Sequence, residues 1–143
     1  MGNPLDPANH IGALIDKDHC SKVRSYLDDK GDGPFISPTV FEVEADDPRA
    51  HDEIFGPVLC VITVASNDEA VEVANDTNYG LTASLFSTGG RSGLRAARNL
   101  RAGTVTVNCY GEGNIATPFG GYKQSGFGGR DNGLHAHNQY LSL

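Results

Sequence analysis

One stretch organises this sequence, Asp52-Glu53-Ile54-Phe55-Gly56-Pro57-Val58. Residues i and i+2 of an extended backbone point the same way, so Glu53 and Phe55 could face one ligand together. The carboxylate would accept hydrogen bonds from hydroxyl groups beside a flat apolar ring, and Gly56 and Pro57 would fix the turn that follows. The plainer interpretation is a solvated glutamate and a core phenylalanine before an ordinary turn, so the neighbouring sequence has to decide.

Four segments around this stretch predict strands because they are rich in β-branched, aromatic or other apolar residues. They are residues 36–43, 58–64, 81–86 and 104–109. The run 58–64 is almost unbroken in its apolar character, which suits a strand buried on both faces of a parallel sheet.

The segments between the strands predict helices. Asp16 is placed to cap a helix with Cys20, Val23 and Leu27 on one face, and the helix is expected to end before Gly31 and Gly33. Ser66-Asn67-Asp68-Glu69 is a capping box ahead of a helix that runs through Ala74. Residues 92–100 predict another helix, with Leu94 and Ala97 on its buried face.

The alternation of strands and helices indicates an α/β fold with a doubly wound, mostly parallel sheet. From residue 110 to residue 133 the chain holds eight of its 18 glycines, which predicts a Gly-rich C-terminal loop region. We expect 143 residues to form a single domain that buries roughly two-thirds of its unfolded surface.

Charge and cysteine content exclude several classes of partner. Eleven basic against 18 acidic residues give a net charge of −7, which disfavours nucleic acid and anionic membranes as partners. No apolar run approaches a membrane span, and the first residues lack the pattern of a signal peptide. Cys20, Cys60 and Cys109 form neither a metal motif nor a disulfide framework, so a reducing, cytoplasmic location is expected.

The sequence resembles the NAD(P)-dependent aldehyde dehydrogenase superfamily. Four motifs carry the resemblance in order, Glu53-Ile54-Phe55-Gly56-Pro57, Asn75-Asp76-Thr77-Asn78-Tyr79-Gly80-Leu81, Ala102-Gly103-Thr104-Val105-Thr106-Val107-Asn108 and Pro118-Phe119-Gly120-Gly121-Tyr122-Lys123-Gln124-Ser125-Gly126. Upstream, residues 2–7, 12–16 and 37–41 extend it over essentially the whole chain. Within the family, residues 129–136 look most like the γ-glutamyl-γ-aminobutyraldehyde dehydrogenase branch.

The resemblance implies an oxidoreductase that converts an aldehyde to its acid with NAD or NADP. It places Glu53 on the nicotinamide ribose hydroxyls and Phe55 against the nicotinamide. Around the aldehyde entrance it places Gly111, Gly113, Ile115, Thr117 and Phe119. No residue of this chain matches the family's nucleophilic cysteine, general base or cofactor-domain motifs, so we expect a truncated C-terminal portion that has no catalytic residue and binds no cofactor when alone.

One departure from the family lies after the first helix. Family members carry roughly twenty more residues before the strand over 36–43, commonly as a short hairpin, whereas residues 30–34 make the connection directly here. The packing around this connection is therefore expected to differ.

Other motifs have plainer explanations. Residues 111–116 match G-x-G-x-x-A, but Thr117 and Pro118 prevent the helix that a dinucleotide fingerprint needs. Cys109 has no cation or base nearby in sequence to activate its thiol. His135 and His137 lack a third metal ligand. Residues 118–126 predict a structural turn whose glycines allow positive φ or close approach.

A rival hypothesis is a non-catalytic interaction module that keeps the fold and self-associates or pairs with a chain carrying the missing portion. Apolar surface that the longer enzyme covers would promote such association. On either hypothesis we expect a homo-oligomer.

Overall fold

The computed structural model describes residues 1–29, 31–111, 113–127 and 131–141. They form two compact units, residues 1–63 and 64–143. The first contains α1 (Lys17–Ser25), β1 (Thr39–Glu42), α2 (Pro48–His51) and β2 (Val58–Val61). The second contains α3 (Asn67–Asn75), β3 (Thr82–Leu85), α4 (Gly90–Asn99), β4 (Thr104–Val107), a 3₁₀ turn (Lys123–Ser125) and α5 (Asn138–Leu141).

Each unit has a two-stranded parallel sheet, so the predicted α/β class with parallel strands is confirmed. β1 pairs with β2 from Thr39↔Val58 to Glu42↔Val61. β3 pairs with β4 from Thr82↔Thr104 to Leu85↔Val107. All four strands are shorter than predicted, and β1 starts late because Pro38 has no N–H to donate to the ladder.

Helix α1 begins where the sequence predicts. The Asp16 carboxylate accepts a hydrogen bond from the His19 N–H at 2.7 Å, which confirms the predicted cap. The end of the helix was predicted wrongly. It closes at Ser25, so Leu27 lies beyond it, and the left-handed residue that follows is Asp28 (φ 53°), not a glycine.

The core of the first unit is built on α1. Val23, Ile36 and Ile54 are buried together, and Leu14, Tyr26, Leu27 and Val58 pack against them. The prediction that the 58–64 strand is buried on both faces is wrong for this chain. Leu59 is 58% and Val61 42% exposed, so one face of the β1–β2 sheet is uncovered.

The short connection after α1 is held by a buried arginine. Arg24 is 8% exposed, and its guanidinium donates to the Asp29 carboxylate at 3.2 Å and to the carbonyls of Gly33 and Phe35. The pKa of Asp29 lies below its ordinary value, chiefly because its carboxylate accepts a hydrogen bond from the Gly31 N–H, and to a smaller extent because of the Arg24 guanidinium. A charged side chain thus fixes the direct path of residues 31–35.

The capping box of the second unit is confirmed. Ser66 Oγ accepts from the Glu69 N–H at 3.1 Å, and Glu69 Oε2 accepts from the Ala65 N–H at 2.7 Å. The Glu69 side chain therefore bonds to the N–H of Ala65, the residue before the N-cap Ser66.

The buried face of α4 differs from the prediction. Leu94 is 58% exposed, whereas Gly93 is buried and Ala96, Ala97 and Leu100 are half-buried. A methyl group on Gly93 would lie 3.7 Å from Val107 Cγ1, so the helix lies close to β4. Because the residues that approach the strand are small, Leu94 falls on the outer side.

The turn over 118–126 serves the structure of the second unit, as predicted. The Lys123 ammonium donates to the carbonyls of Asn75 and Thr77 at 2.8 and 2.9 Å, at the C-terminal end of α3. A methyl on Gly121 would overlap the Ser125 carbonyl, so this glycine is needed for close approach. The positive φ in the turn belongs to Lys123 itself (φ 53°).

Candidate functional site

The loop over residues 52–56 presents two side chains on either side of a buried one. Ile54 is 7% exposed and joins the core, whereas Glu53 and Phe55 are exposed, Phe55 by 70%. The core therefore takes Ile54 and leaves a carboxylate and an aromatic ring at the surface. Both side chains are thus accessible to a ligand, but that they face one ligand together stays a prediction, and the strand geometry from which it was argued is wrong.

Phe55 does not have an extended backbone. Its φ is 55°, in the left-handed region, so the i, i+2 argument from strand geometry fails at this residue. A left-handed non-glycine residue costs on the order of 1–2 kcal/mol. Such a conformation persists only where the surroundings determine it.

Two side chains, one on α1 and one at its C-cap, hold this loop by hydrogen bonds. His19 Nε2 lies 2.7 Å from the carbonyl oxygen of Phe55. Seven residues further along the chain, at the C-cap of α1, the Tyr26 hydroxyl donates to Asp52 Oδ2 at 3.0 Å. The loop is thus tied to α1 near both ends.

Between these bonds the loop packs directly on the helix. Val23 is fully buried, and a methyl group on Gly56 would lie 2.6 Å from its Cγ1 and 3.0 Å from its Cγ2. Gly56 is therefore required for close packing. The predicted turn is present, with bends at Gly56 and Pro57 and a hydrogen bond from the Val58 N–H to the Gly56 carbonyl at 2.7 Å.

An ion pair lies just before this loop. Arg49 donates to both carboxylate oxygens of Asp47, at 3.0 Å and 2.6 Å, and its guanidinium lies 4.4 Å from the Phe41 ring centroid. The side-chain and backbone hydrogen bonds from Arg49 lower the pKa of Asp47 to about 2. Arg49 in turn has a raised pKa, chiefly because of the bond to Asp47.

The predicted entrance residues lie on turns of the second unit. Gly111, Ile115 and Thr117 are exposed, Ile115 by 80%, and Gly113 takes a φ of 82°. Phe119 is half-buried and forms a bridge with Asp131, each N–H donating to the other's carbonyl at 2.7 Å. No helix begins among the described residues of this segment, so the interpretation as a dinucleotide fingerprint fails; Glu112 lies outside the described residues.

The three thiols differ in exposure. Cys20 is buried, Cys60 is half-buried with its Sγ 3.5 Å from the Arg49 carbonyl, and Cys109 is exposed after the end of β4. Within the described ranges, no three His, Cys, Asp or Glu side chains are grouped to hold a metal ion. None of the helices described there is long and apolar enough to cross a membrane.

The model of the aldehyde dehydrogenase family matches residues 1–143, the whole chain. The chain belongs to the aldehyde dehydrogenase family. The resemblance predicted from the motifs is thereby confirmed.

Relatives of known name agree with this assignment. The aminoacetaldehyde dehydrogenase of Pseudomonas aeruginosa is 48% identical over 100% of this chain and 32% of its own length. The NADP/NAD-dependent aldehyde dehydrogenase PuuC of Escherichia coli is 42% identical over 99% of this chain and 31% of its own. The chain spans about a third of the length of these relatives.

Solved structures of aldehyde dehydrogenases have the same fold. A γ-glutamyl-γ-aminobutyraldehyde dehydrogenase from Burkholderia cenocepacia is 46% identical, with a TM-score of 0.86 over 94% of this chain and 31% of its own. The indole-3-acetaldehyde dehydrogenase AldA of P. syringae, solved with NAD+ and IAA, is 41% identical, with a TM-score of 0.89 over 97% of this chain and 32% of its own.

The aligned region is longer in one relative than in this chain. The match to the P. aeruginosa relative runs over 157 positions, against 143 residues in this chain. The relative therefore has residues inside the aligned region that this aldehyde dehydrogenase chain lacks. That they lie after the first helix stays a prediction.

Sequence reasoning identified the exposed pair but missed what holds it. His19, Val23 and Tyr26 lie at positions i, i+4 and i+7, which form one face of a helix. That spacing was available in the sequence. The spacing does not reveal that these residues contact the loop over 52–56, because the His19–Phe55 bond joins residues 36 positions apart.

Proposed function

We propose that this chain supplies the nicotinamide-positioning and substrate-entrance residues of an enzyme that oxidises an aldehyde to its acid with NAD(P)+. The observation that carries the proposal is the loop over 52–56, which exposes Glu53 and Phe55 beside buried Ile54 and is tied to α1. Family membership supplies the reaction class.

Glu53 and Phe55 fit opposite parts of a nicotinamide nucleoside. The Glu53 carboxylate would accept hydrogen bonds from the two ribose hydroxyls, and charge-assisted bonds of this kind are the stronger ones. The exposed ring of Phe55 would lie against the nicotinamide. When bound, the dinucleotide accepts a hydride, and the chain's part in that step is to hold the ribose in a near-attack geometry.

We place the aldehyde entrance at the turns that carry Gly111, Gly113, Ile115, Thr117 and Phe119. Ile115 is the large exposed apolar side chain of this set, and loop side chains set pocket shape while the sheet stays fixed. The names of two relatives support an aldehyde with an amino or acylated amino group, such as aminoacetaldehyde or γ-glutamyl-γ-aminobutyraldehyde.

No cysteine of this chain is proposed as the nucleophile. Cys20 is buried and Cys60 is half-buried, and Cys109 is exposed but has no activating partner within the part of the chain that the structure describes. We propose that the chain is the C-terminal portion of the enzyme, that the thiolate, the base and the adenosine contacts come from residues outside it, and that the enzyme works in the cytoplasm.

A second candidate function rests on the uncovered face of the first unit. Val40, Leu59 and Val61 are 65%, 58% and 42% exposed on one side of the β1–β2 sheet. Such a patch promotes association. The alternative is a non-catalytic module that pairs with a second copy of itself.

The test uses the chain alone and a joined enzyme. In the joined enzyme, residues 1–143 replace the matching 32% of the P. aeruginosa aminoacetaldehyde dehydrogenase. We expect aldehyde-dependent NADH formation from the joined enzyme and none from the chain alone, with no tight NAD+ binding to the chain in calorimetry.

Three outcomes separate the hypotheses. A well-folded joined enzyme that binds NAD+ without turnover would contradict the proposed function, and light scattering that shows stable dimers of the chain would then favour the module. Turnover by the chain alone that disappears in Cys109→Ala would make Cys109 a nucleophile.

A further inference from the structure

We propose that His19 is a positioning residue for Phe55. Its ring holds the Phe55 carbonyl, so that the phenyl ring stays where it can lie against the nicotinamide. The geometric part of this inference stands on α1 and the loop over 52–56 alone. Its consequence for hydride transfer rests on the proposed function.

The direction of the hydrogen bond follows from its chemistry. A backbone carbonyl can only accept, so His19 Nε2, 2.7 Å from the Phe55 oxygen, must carry the proton that is donated. The backbone of His19 is fixed by its own N–H bond to the Asp16 cap. The imidazole is therefore presented from a secured first turn of α1.

The bond acts on the peptide that sets the direction of the Phe55 side chain. Phe55 has a φ of 55°, which phenylalanine adopts only when it is held there. On one side of this peptide, Gly56 packs against buried Val23. On the other, His19 holds the carbonyl, so a return of Phe55 to negative φ would break the bond and move the ring.

The exposure of Phe55 makes this backbone control necessary. The side chain is 70% exposed, so packing within the chain fixes little of the ring. Ile54, in contrast, is fixed by the core around it. The orientation of an exposed ring that has to meet a cofactor must therefore come from its backbone.

A matched control exists in the same unit. His51 Nε2 lies 2.8 Å from the carbonyl of Ala45, so it makes the same type of bond to a carbonyl outside the loop. His51→Ala removes one histidine–carbonyl bond and leaves the Phe55 carbonyl in place. His19→Gln offers an amide N–H in place of the imidazole and serves as the conservative variant.

The first test is nuclear magnetic resonance on the full chain. In the unaltered protein and in His51→Ala, Phe55 should give a strong nuclear Overhauser cross-peak between its own HN and Hα protons, which is typical of positive φ. That cross-peak should weaken in His19→Ala and return at least in part in His19→Gln. A cross-peak of unchanged strength in a folded His19→Ala, or its absence from the unaltered protein, would overturn the proposal.

The second test is single-turnover kinetics with the joined enzyme. We expect His19→Ala to slow hydride transfer by roughly tenfold or more, since small misplacements cost that much, while aldehyde KM changes little. His19→Gln should recover part of the loss, and His51→Ala should leave the rate unchanged. Equal losses in His19→Ala and His51→Ala would overturn the positioning role.

The two proposals can fail separately. If Phe55→Ala leaves hydride transfer unchanged, the proposed role of Phe55 is wrong. The magnetic resonance test of whether His19 holds Phe55 at positive φ is unaffected by that result. If Phe55→Ala slows the step and His19→Ala does not, only the role of His19 is wrong.

Discussion

Gly56→Ala should destabilise the chain through a single identifiable collision. The new methyl would lie 2.6 Å from Val23 Cγ1 and 3.0 Å from Cγ2, and Val23 is fully buried and cannot move aside freely. Overpacking of this kind costs about 1–3 kcal/mol. Replacing glycine by alanine returns about 0.4–1 kcal/mol through the unfolded state, so the net loss should be about 1–2 kcal/mol.

The collision predicts a specific coupling. Val23→Ala alone removes two carbons from the core and should cost about 2–3 kcal/mol, transfer and cavity together. With both changes the offending methyls are gone, and the nearest remaining atom, Val23 Cβ, lies 3.4 Å from the new methyl. The double variant should therefore be more stable than the sum of the single losses predicts, by about 1–2 kcal/mol.

Urea unfolding followed by circular dichroism measures these differences. Gly33→Ala is the matched control, because a methyl there meets nothing within 4 Å. It should be neutral or slightly stabilising. Strict additivity of Gly56→Ala and Val23→Ala would refute the packing of the loop on α1.

Three further results are expected. Arg24→Leu should cost about 1–3 kcal/mol, because the carbonyls of Gly33 and Phe35 lose their charged donor, and Lys22→Leu on the exposed side of α1 should cost far less. The pKa of Asp47 is about 2 in the folded chain, against an ordinary value of 3.8, so its ion pair stabilises the chain above pH 3.8 and this stabilisation is lost as pH falls towards 2. Asp47→Asn should therefore flatten that part of the acid unfolding curve. Ile115→Phe in the joined enzyme should change kcat/KM unequally among aldehydes of different bulk; equal changes for all would assign the loop to stability alone.

Local features of the fold were predictable from the sequence. The caps at Asp16 and Ser66 involve partners three residues away, so the pattern alone locates them. Packing between elements distant in the sequence was not predictable in this way. Leu94 reads as a core residue by periodicity, but α4 approaches β4 through Gly93, and no local pattern reveals that choice.

The candidate site shows the same division. The sequence indicated Glu53 and Phe55 by their types and spacing, and the structure exposes both. The sequence could not indicate the left-handed conformation of Phe55, because the residues that hold this conformation, His19 and Val23, lie on a helix more than thirty positions earlier. A conformation imposed by distant contacts leaves no signal in the motif itself.

We propose that the loop over 52–56 positions the nicotinamide ribose, so hydride transfer should depend on the Glu53 carboxylate. The measurement is the single-turnover rate of hydride transfer in the joined enzyme carrying Glu53→Gln, beside Glu44→Gln, the same change at an exposed glutamate outside the loop. We predict that Glu53→Gln slows the hydride step roughly ten- to hundredfold with a smaller effect on aldehyde binding, while Glu44→Gln has none. An unchanged hydride step in Glu53→Gln, with only cofactor release altered, would contradict the account.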